Sequence, residues 1–241
     1  MFYTVTLNPA LDYAVWVDTI KERQIAKDEA ITPGGKGVNV SLVLKEFGLG
    51  STALGFIAGF SGEEVESRLN SEGIITNFTR VGKGLTRINI KIKAAKEIEI
   101  NGKGPEISEN ELADFLSKLD IISKDDTVIL SGSVPASLPG NIYDIILGRI
   151  SDRKQNGKPH RKPRLVVDIT GAALLNALRY KPFLIKPNLD ELGEIYGSRI
   201  EGIPQIIEFA KKLQGDGAEN VLVTLGADGA VLLCKDGSLY K

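Results

Sequence analysis

The 241-residue chain has a single cysteine, Cys234, and a single histidine, His160. One thiol excludes a disulfide framework, and the pair is too small a set for a Cys/His zinc site. A Ser-His-Asp triad would have to rest on His160, which stands among Lys158, Arg161 and Lys162 in a stretch expected to be exposed and irregular. Cys234 closes the apolar run Ala230-Val231-Leu232-Leu233, so an inert thiol in a buried strand is expected. No charge of one sign prevails: 30 Lys and Arg face 31 Asp and Glu. No global field therefore draws the chain to nucleic acid or a membrane surface, and an anionic ligand must be held by a local cluster. No apolar run approaches the ~18 residues of a membrane span, and the opening Met-Phe-Tyr-Thr-Val-Thr-Leu has no basic n-region. The expectation is a soluble cytoplasmic protein with neither a nucleic-acid nor a membrane partner.

Apolar residues make up 42% of the chain, enough for a substantial core. Phe2–Leu7, Thr52–Ala58, Thr127–Ser131, Leu165–Asp168, Phe183–Lys186 and Val221–Leu225 are short, rich in Val, Ile, Leu and Thr, and show little polar alternation. Such runs are expected of strands buried on both faces. Between them, Val38–Phe47, Glu63–Glu72, Glu109–Leu119 and Ile203–Leu213 have helical period. Ser108 with Glu111 fits a capping box at the third of these. Strands alternating with helices predict parallel βαβ units and a layered α/β fold. Tyr13–Val17 and Arg87–Lys93, with Glu97–Ile100, alternate polar and apolar residues instead. They predict a small separate sheet over the edge where α/β folds bind ligands. Ser151–Arg164 is basic but has no interleaved aromatics, which favours a solvated linker over a nucleic-acid surface.

Thr32-Pro33-Gly34-Gly35-Lys36-Gly37-Val38-Asn39 is the most informative segment. Its glycines let a backbone approach a ligand, and a helix N-terminus follows with free N–H groups, a lysine and, one turn on, an asparagine. It is not a Walker A loop, because Ala30 and Gly37 occupy positions that need Gly and Ser/Thr. An ordinary tight turn would also fit it. Asp12, after the first strand, suits hydroxyl binding as a charge-assisted acceptor, or is a turn residue. Arg87 could fork onto a phosphate, or be a surface charge. Asn188 and Glu191 share one helical face and could hold water around Mg²⁺, or Asn188 is a simple N-cap. Thr224-Leu225-Gly226-Ala227-Asp228-Gly229 could take nucleotide phosphate or ribose, or be a plain β-turn.

In order along the chain, GGKGxN, TRIN, SGS (Ser131–Ser133), KPN and TLGxxG resemble the PfkB-type, ribokinase-like carbohydrate kinases. VTLNPALD, Thr86–Lys91 and Glu97–Ile107 look like the branch acting on phosphorylated ketohexoses, which holds 1-phosphofructokinase and tagatose-6-phosphate kinase. The resemblance implies a three-layer αβα sandwich with a mostly parallel central sheet and a small β-sheet lid near 13–17 and 87–100, in one kinase domain. It implies ATP and Mg²⁺ as cofactors and a sugar phosphate as substrate, first of all fructose 1-phosphate. Asp12, Gly34, Gly35 and Asn39 match positions that hold sugar hydroxyls, with Asn89 alongside on the same stretch. Lys36 and Arg87 match positions facing the sugar's phosphate. Asn188 and Glu191 match the Mg²⁺ and ATP-phosphate motif, with Lys186 beside it, and Thr224, Gly226 and Gly229 match part of the nucleotide site. The lid often forms a dimer interface in the family, so a homodimer through it is implied as well.

One departure stands out. The family continues into a glycine-rich loop of the GAGD kind, whose N–H groups form an anion hole and whose Asp is the general base. No such sequence occurs up to Lys241. The catalytic Asp is therefore expected beyond Lys241, and residues 1–241 alone are expected to be inactive. A protein that binds a sugar phosphate without turning it over is the alternative from another class. A dinucleotide-dependent oxidoreductase is disfavoured, because no GxGxxG follows the first strand.

Overall fold

The computed structural model describes residues 1–151, 154–155, 158–159 and 162–241. His160 and five other residues of the basic stretch 151–164 lie outside the described residues. The chain resolves into two compact units, one of residues 1–118 and 132–140, the other of 119–131 and 141–241.

The first unit holds β1 (Phe2–Thr6), β2 (Ala10–Trp16), β3 (Asp28–Gly34), α1 (Lys36–Glu46), β4 (Ser51–Ala58), α2 (Gly59–Ser71), β5 (Ile75–Thr76), β6 (Thr79–Val81), β7 (Arg87–Lys93), β8 (Ile98–Ile100) and α3 (Glu109–Lys118). β1 pairs in parallel with β4, and β4 with β5 and β6. Every residue of β4 is buried, as its unbroken apolar and Thr/Ser run requires of a strand covered on both faces. Phe56 of β4 meets Phe115 of α3 with ring centroids 4.7 Å apart. Val65 and Leu69 of α2 pack with Ile57, Val38 and Leu11 in one apolar cluster. The alternating segments form a separate four-stranded sheet in the order β3-β2-β7-β8. β2 runs antiparallel to β3 and parallel to β7, and β7 runs antiparallel to β8. The capping box opening α3 is present: Ser108 N donates to Glu111 Oε2 at 2.7 Å, and Glu111 N to Ser108 Oγ at 3.4 Å.

The second unit holds β9 (Thr127–Ser131), α4 (Ile142–Ser151), the two-residue strands β10 (Lys154–Gln155) and β11 (Lys158–Pro159), β12 (Arg164–Asp168), α5 (Gly171–Ala177), β13 (Leu184–Ile185), α6 (Leu189–Tyr196), α7 (Ile203–Gly215), β14 (Asn220–Thr224), β15 (Ala230–Leu233) and β16 (Leu239–Tyr240). β9, β12, β13 and β14 are parallel neighbours in that order, and β15 and β16 continue antiparallel. Its core is Val128, Leu130, Ile146, Leu147, Leu165, Val167, Ile185, Val221 and Val223. The mixed α/β class, with mostly parallel strands and a small separate sheet, is the one expected from sequence.

Three local expectations need correcting. Asp12 lies inside β2 rather than at a strand-to-loop exit, because β2 keeps pairing with β3 and β7 over seven residues. Thr32–Gly34 end a strand instead of forming a free loop before the helix. Cys234 is only half-buried, since β15 stops at Leu233 and the chain turns there, with Gly237 N donating to Cys234 O.

Candidate functional site

In the first unit, side chains converge on the polar face of the small sheet. In the parallel register of β2 and β7, Asp12 stands opposite Asn89. Asn89 Nδ2 donates to Asp12 Oδ1 at 2.8 Å, and Lys91 Nζ donates to Oδ2 at 2.7 Å. The Asp12 carboxylate is 14% exposed, so both contacts act in a partly dry setting. The Lys91 pKa is raised, chiefly by this hydrogen bond. Gly34 lies against Asp12: a Cβ there would come within 2.7 Å of its carboxyl carbon. Only glycine lets the backbone this close.

Arg87, on the same face of β7, is half-buried, and burial pulls its pKa down while the Asp12 charge raises it. Its Nε donates to the Asn8 carbonyl at 3.1 Å. Asn8 Oδ1 and Thr6 Oγ1 are buried with no hydrogen-bond partner among the described residues. Gly35 caps α1 at φ 115 without a side-chain bond. Lys36 and Asn39 follow in the first turn, where N–H groups point off the helix end. Asn39 N donates to Gly35 O, but its side chain makes no hydrogen bond within the described residues. Asp12, Gly34 and Asn89 are thus joined by contact, and Arg87 is linked to Asp12 by charge. Lys36 and Asn39 are placed by the helix start and not by contact with Asp12.

In the second unit, the chosen residues gather at the C-terminal ends of β12, β13 and β14. Lys186 Nζ stands 3.2 Å from Asp168 Oδ1. Tyr143 has its pKa pushed up by burial, with the Asp168 charge adding to it. Asn188 and Glu191 form a full capping box at α6: Glu191 N donates to Asn188 Oδ1 and Asn188 N to Glu191 Oε2, both at 2.8 Å. The N-cap alternative is therefore real, and it engages one oxygen of Glu191 while leaving the other. Asn188 bridges Thr224, whose N–H donates to Pro187 O at 3.1 Å. After Thr224 the chain turns through Gly226 (φ 63) and Gly229 (φ 93), closed by Leu225 N to Gly229 O at 2.8 Å. A Cβ at either glycine would meet nothing within 4 Å, so the turn is open to solvent.

Among the described residues no cluster of three His, Cys, Asp or Glu groups could hold a metal ion by itself. The remaining Glu191 oxygen fits Mg²⁺, which is held by one or two carboxylates together with phosphates and water.

Sequence reasoning missed Lys91 and Asn8. Lys91 was findable: Arg87, Asn89 and Lys91 are two apart on one strand and must share a face. Asn8 had no local signal, because its contact with Arg87 spans 79 residues of sequence.

The family model for pfkB family carbohydrate kinases matches residues 6–240. The chain is 43% identical over 242 residues to a 1-phosphofructokinase of Bacillus subtilis, covering 100% of this chain and 77% of that protein. It is 39% identical over 243 residues to a D-tagatose-1-phosphate kinase of Bacillus licheniformis, covering 99% and 77%. A crystal structure of a candidate phosphofructokinase from Staphylococcus aureus superposes with a TM-score of 0.80 at 38% identity, covering 98% of this chain and 74% of that one. With the motifs in order, this fold and these matches, the chain belongs to the pfkB family of carbohydrate kinases.

Proposed function

We propose that this protein takes part in ATP-dependent phosphorylation of a ketohexose 1-phosphate, with fructose 1-phosphate as the preferred acceptor and fructose 1,6-bisphosphate as the product. The observation that carries the reading is the Asp12 carboxylate, pinned by Asn89 and Lys91 beside Gly34 and next to Arg87. Each carboxylate oxygen keeps a lone pair for a sugar hydroxyl while its orientation is already fixed, which lowers the ordering cost of binding. Arg87 spends only Nε on Asn8, so its outer N–H groups can fork onto a phosphate. Gly35 and Lys36 supply helix N–H groups and a positive charge to the same acceptor, and Asn39 its side-chain amide.

In the second unit, Lys186 and the open Gly226–Gly229 turn serve the ATP phosphates, and Thr224 the nucleotide. Asn188 and Glu191 would hold Mg²⁺ through water. Bound there, Mg²⁺ would neutralise phosphate charge as the phosphoryl group moves. Among the described residues we assign no general base. Asp12 is held by Asn89 and Lys91, Asp168 pairs with Lys186, and Glu191 closes a helix cap. Residues 1–241 by themselves should therefore bind acceptor better than they turn it over.

The relative named for D-tagatose 1-phosphate, at 39% identity, favours that sugar phosphate as the second reading. Calorimetric titration with fructose 1-phosphate, tagatose 1-phosphate and glucose 6-phosphate tests the assignment. Equal affinity for all three would refute a ketohexose 1-phosphate site. The reading also includes a homodimer through the small sheet. Tyr13, Ile31, Ile90 and Ile100 lie side by side across its four strands, and the three isoleucines are 37–56% exposed. A monomer mass in sedimentation at micromolar concentration would remove that part. A cytoplasmic location, where ATP is available, goes with the same reading.

A further inference from the structure

At the N-terminal ends of β9, β12, β13 and β14, the ends away from Lys186 and Thr224, lies a cavity of about 500 Å³. Lys124, Thr127, Lys162, Arg164, Lys181 and Phe183 line it, together with three acids. Two of those acids are occupied. Asp126 accepts from Ser123 N at 2.7 Å and Ser123 Oγ at 2.8 Å, and Glu219 pairs with Lys235 at 3.4 Å. Three acids thus stand against four cations, and Glu219 already shares its charge between Lys235 and Lys162.

Two of the cations are fixed in place. Lys162 Nζ donates to the Tyr180 carbonyl and, at 2.6 Å, to that of Lys181. The Arg164 guanidinium lies over the Phe183 ring, 4.7 Å from its centroid, and its N–H groups find no acceptor among the described residues. Lys124 and Lys181 have no acidic partner among the described residues. Burial lowers the Lys162 pKa most, and Lys181 and Lys235 lower it further against the pull of Glu219. Lys181 is also the one described non-glycine residue at positive φ, 48°. A lysine is held there although glycine or asparagine would suit that backbone better.

The geometry points to a ligand site at these strand ends for a compact polyanion, of the class of a doubly phosphorylated metabolite. Lys124, Lys162, Arg164 and Lys181 contact its phosphates, and Thr127 contributes a hydroxyl. The volume falls within the range of small-molecule sites. Donors already immobilised by carbonyls and a ring lose little freedom on binding, unlike ordinary surface lysines. The inference does not rest on the kinase reading.

Inorganic pyrophosphate is the probe, titrated calorimetrically into the 241-residue chain at ~0.1 M salt. Because Lys186 and Arg87 could also take an anion, the titration is repeated in R87A/K186Q and in K124Q/K181N. Asparagine tolerates the backbone at 181, and thermal melts confirm that both variants fold. The expected result is saturable binding that survives in R87A/K186Q and weakens roughly tenfold or more in K124Q/K181N. Absence of saturable binding to the unaltered chain would overturn the site. So would loss in R87A/K186Q with full retention in K124Q/K181N. Tighter binding of a short single-stranded oligonucleotide than of pyrophosphate would replace it with a nucleic-acid surface.

Discussion

Replacing Arg87 with alanine separates a phosphate-gripping arginine from a structural one. Arg87 Nε is committed to the Asn8 carbonyl at 3.1 Å, and the Asp12 charge acts on the same guanidinium. A hydrogen bond from a charged group contributes about 1.5–3 kcal/mol net. R87A should therefore weaken fructose 1-phosphate binding by roughly ten- to a hundredfold. The same change orphans the Asn8 carbonyl, at about 1 kcal/mol, which in a chain of this size lowers Tm by about 2–4 °C. R87K keeps the charge and loses the fork, so its affinity should fall in between. Calorimetry with fructose 1-phosphate and with ATP reads both sides: the sugar-phosphate affinity drops and the ATP affinity stays. An R87A protein that melts a few degrees lower but binds fructose 1-phosphate unchanged would make Arg87 a strand-to-loop tie and refute the assignment.

Glu191→Gln keeps a carbonyl oxygen for the Asn188 N–H, so the cap should survive, while the Mg²⁺ concentration needed for half-maximal ATP binding rises; an unchanged requirement would leave the pair with a capping role alone. Gly34→Ala puts a Cβ 2.7 Å from the Asp12 carboxyl carbon and should cost about tenfold in sugar-phosphate affinity, read by the same titration, with ATP binding intact. Glu111, in the α3 capping box, has its pKa lowered: burial pushes it up, and the hydrogen bonds from Ser108 and Gly82 outweigh that. A depressed carboxyl binds fewer protons folded than unfolded, so its contribution is present above the unfolded pKa and lost as pH falls through the folded one. Thermal melts of the wild type against E111Q should therefore converge as pH drops below ~4, and parallel curves would contradict this.

The parallel strands and most helices were legible because they obey one local rule each. β4 and β9 read as unbroken apolar runs, and the start of α3 carries its capping box in sequence. The small sheet was legible as a change of period, but β3 was not, because Asp28–Gly34 is mostly exposed and ends in Pro-Gly-type turn chemistry. Asp12 was singled out in sequence but placed after the first strand instead of within β2, because its pairing with β7 crosses 77 residues of sequence. Short α5 has too little length for periodicity to register. The cation-lined cavity was not legible, because Lys124, Lys162, Arg164 and Lys181 meet only once β9, β12 and β13 are aligned.

We propose that the described residues carry groups for the acceptor and for ATP, but not the group that takes the proton from the attacking hydroxyl. The direct test is a coupled ADP-release assay on this polypeptide with fructose 1-phosphate, ATP and Mg²⁺. Loss of a general base costs ~10²–10⁴ in rate, so turnover should fall far below the ~1 s⁻¹ floor of ordinary enzymes while fructose 1-phosphate still binds. Turnover at ~1 s⁻¹ or faster would contradict the account and place the base among carboxylates given other work here, Asp168 or Glu191 first.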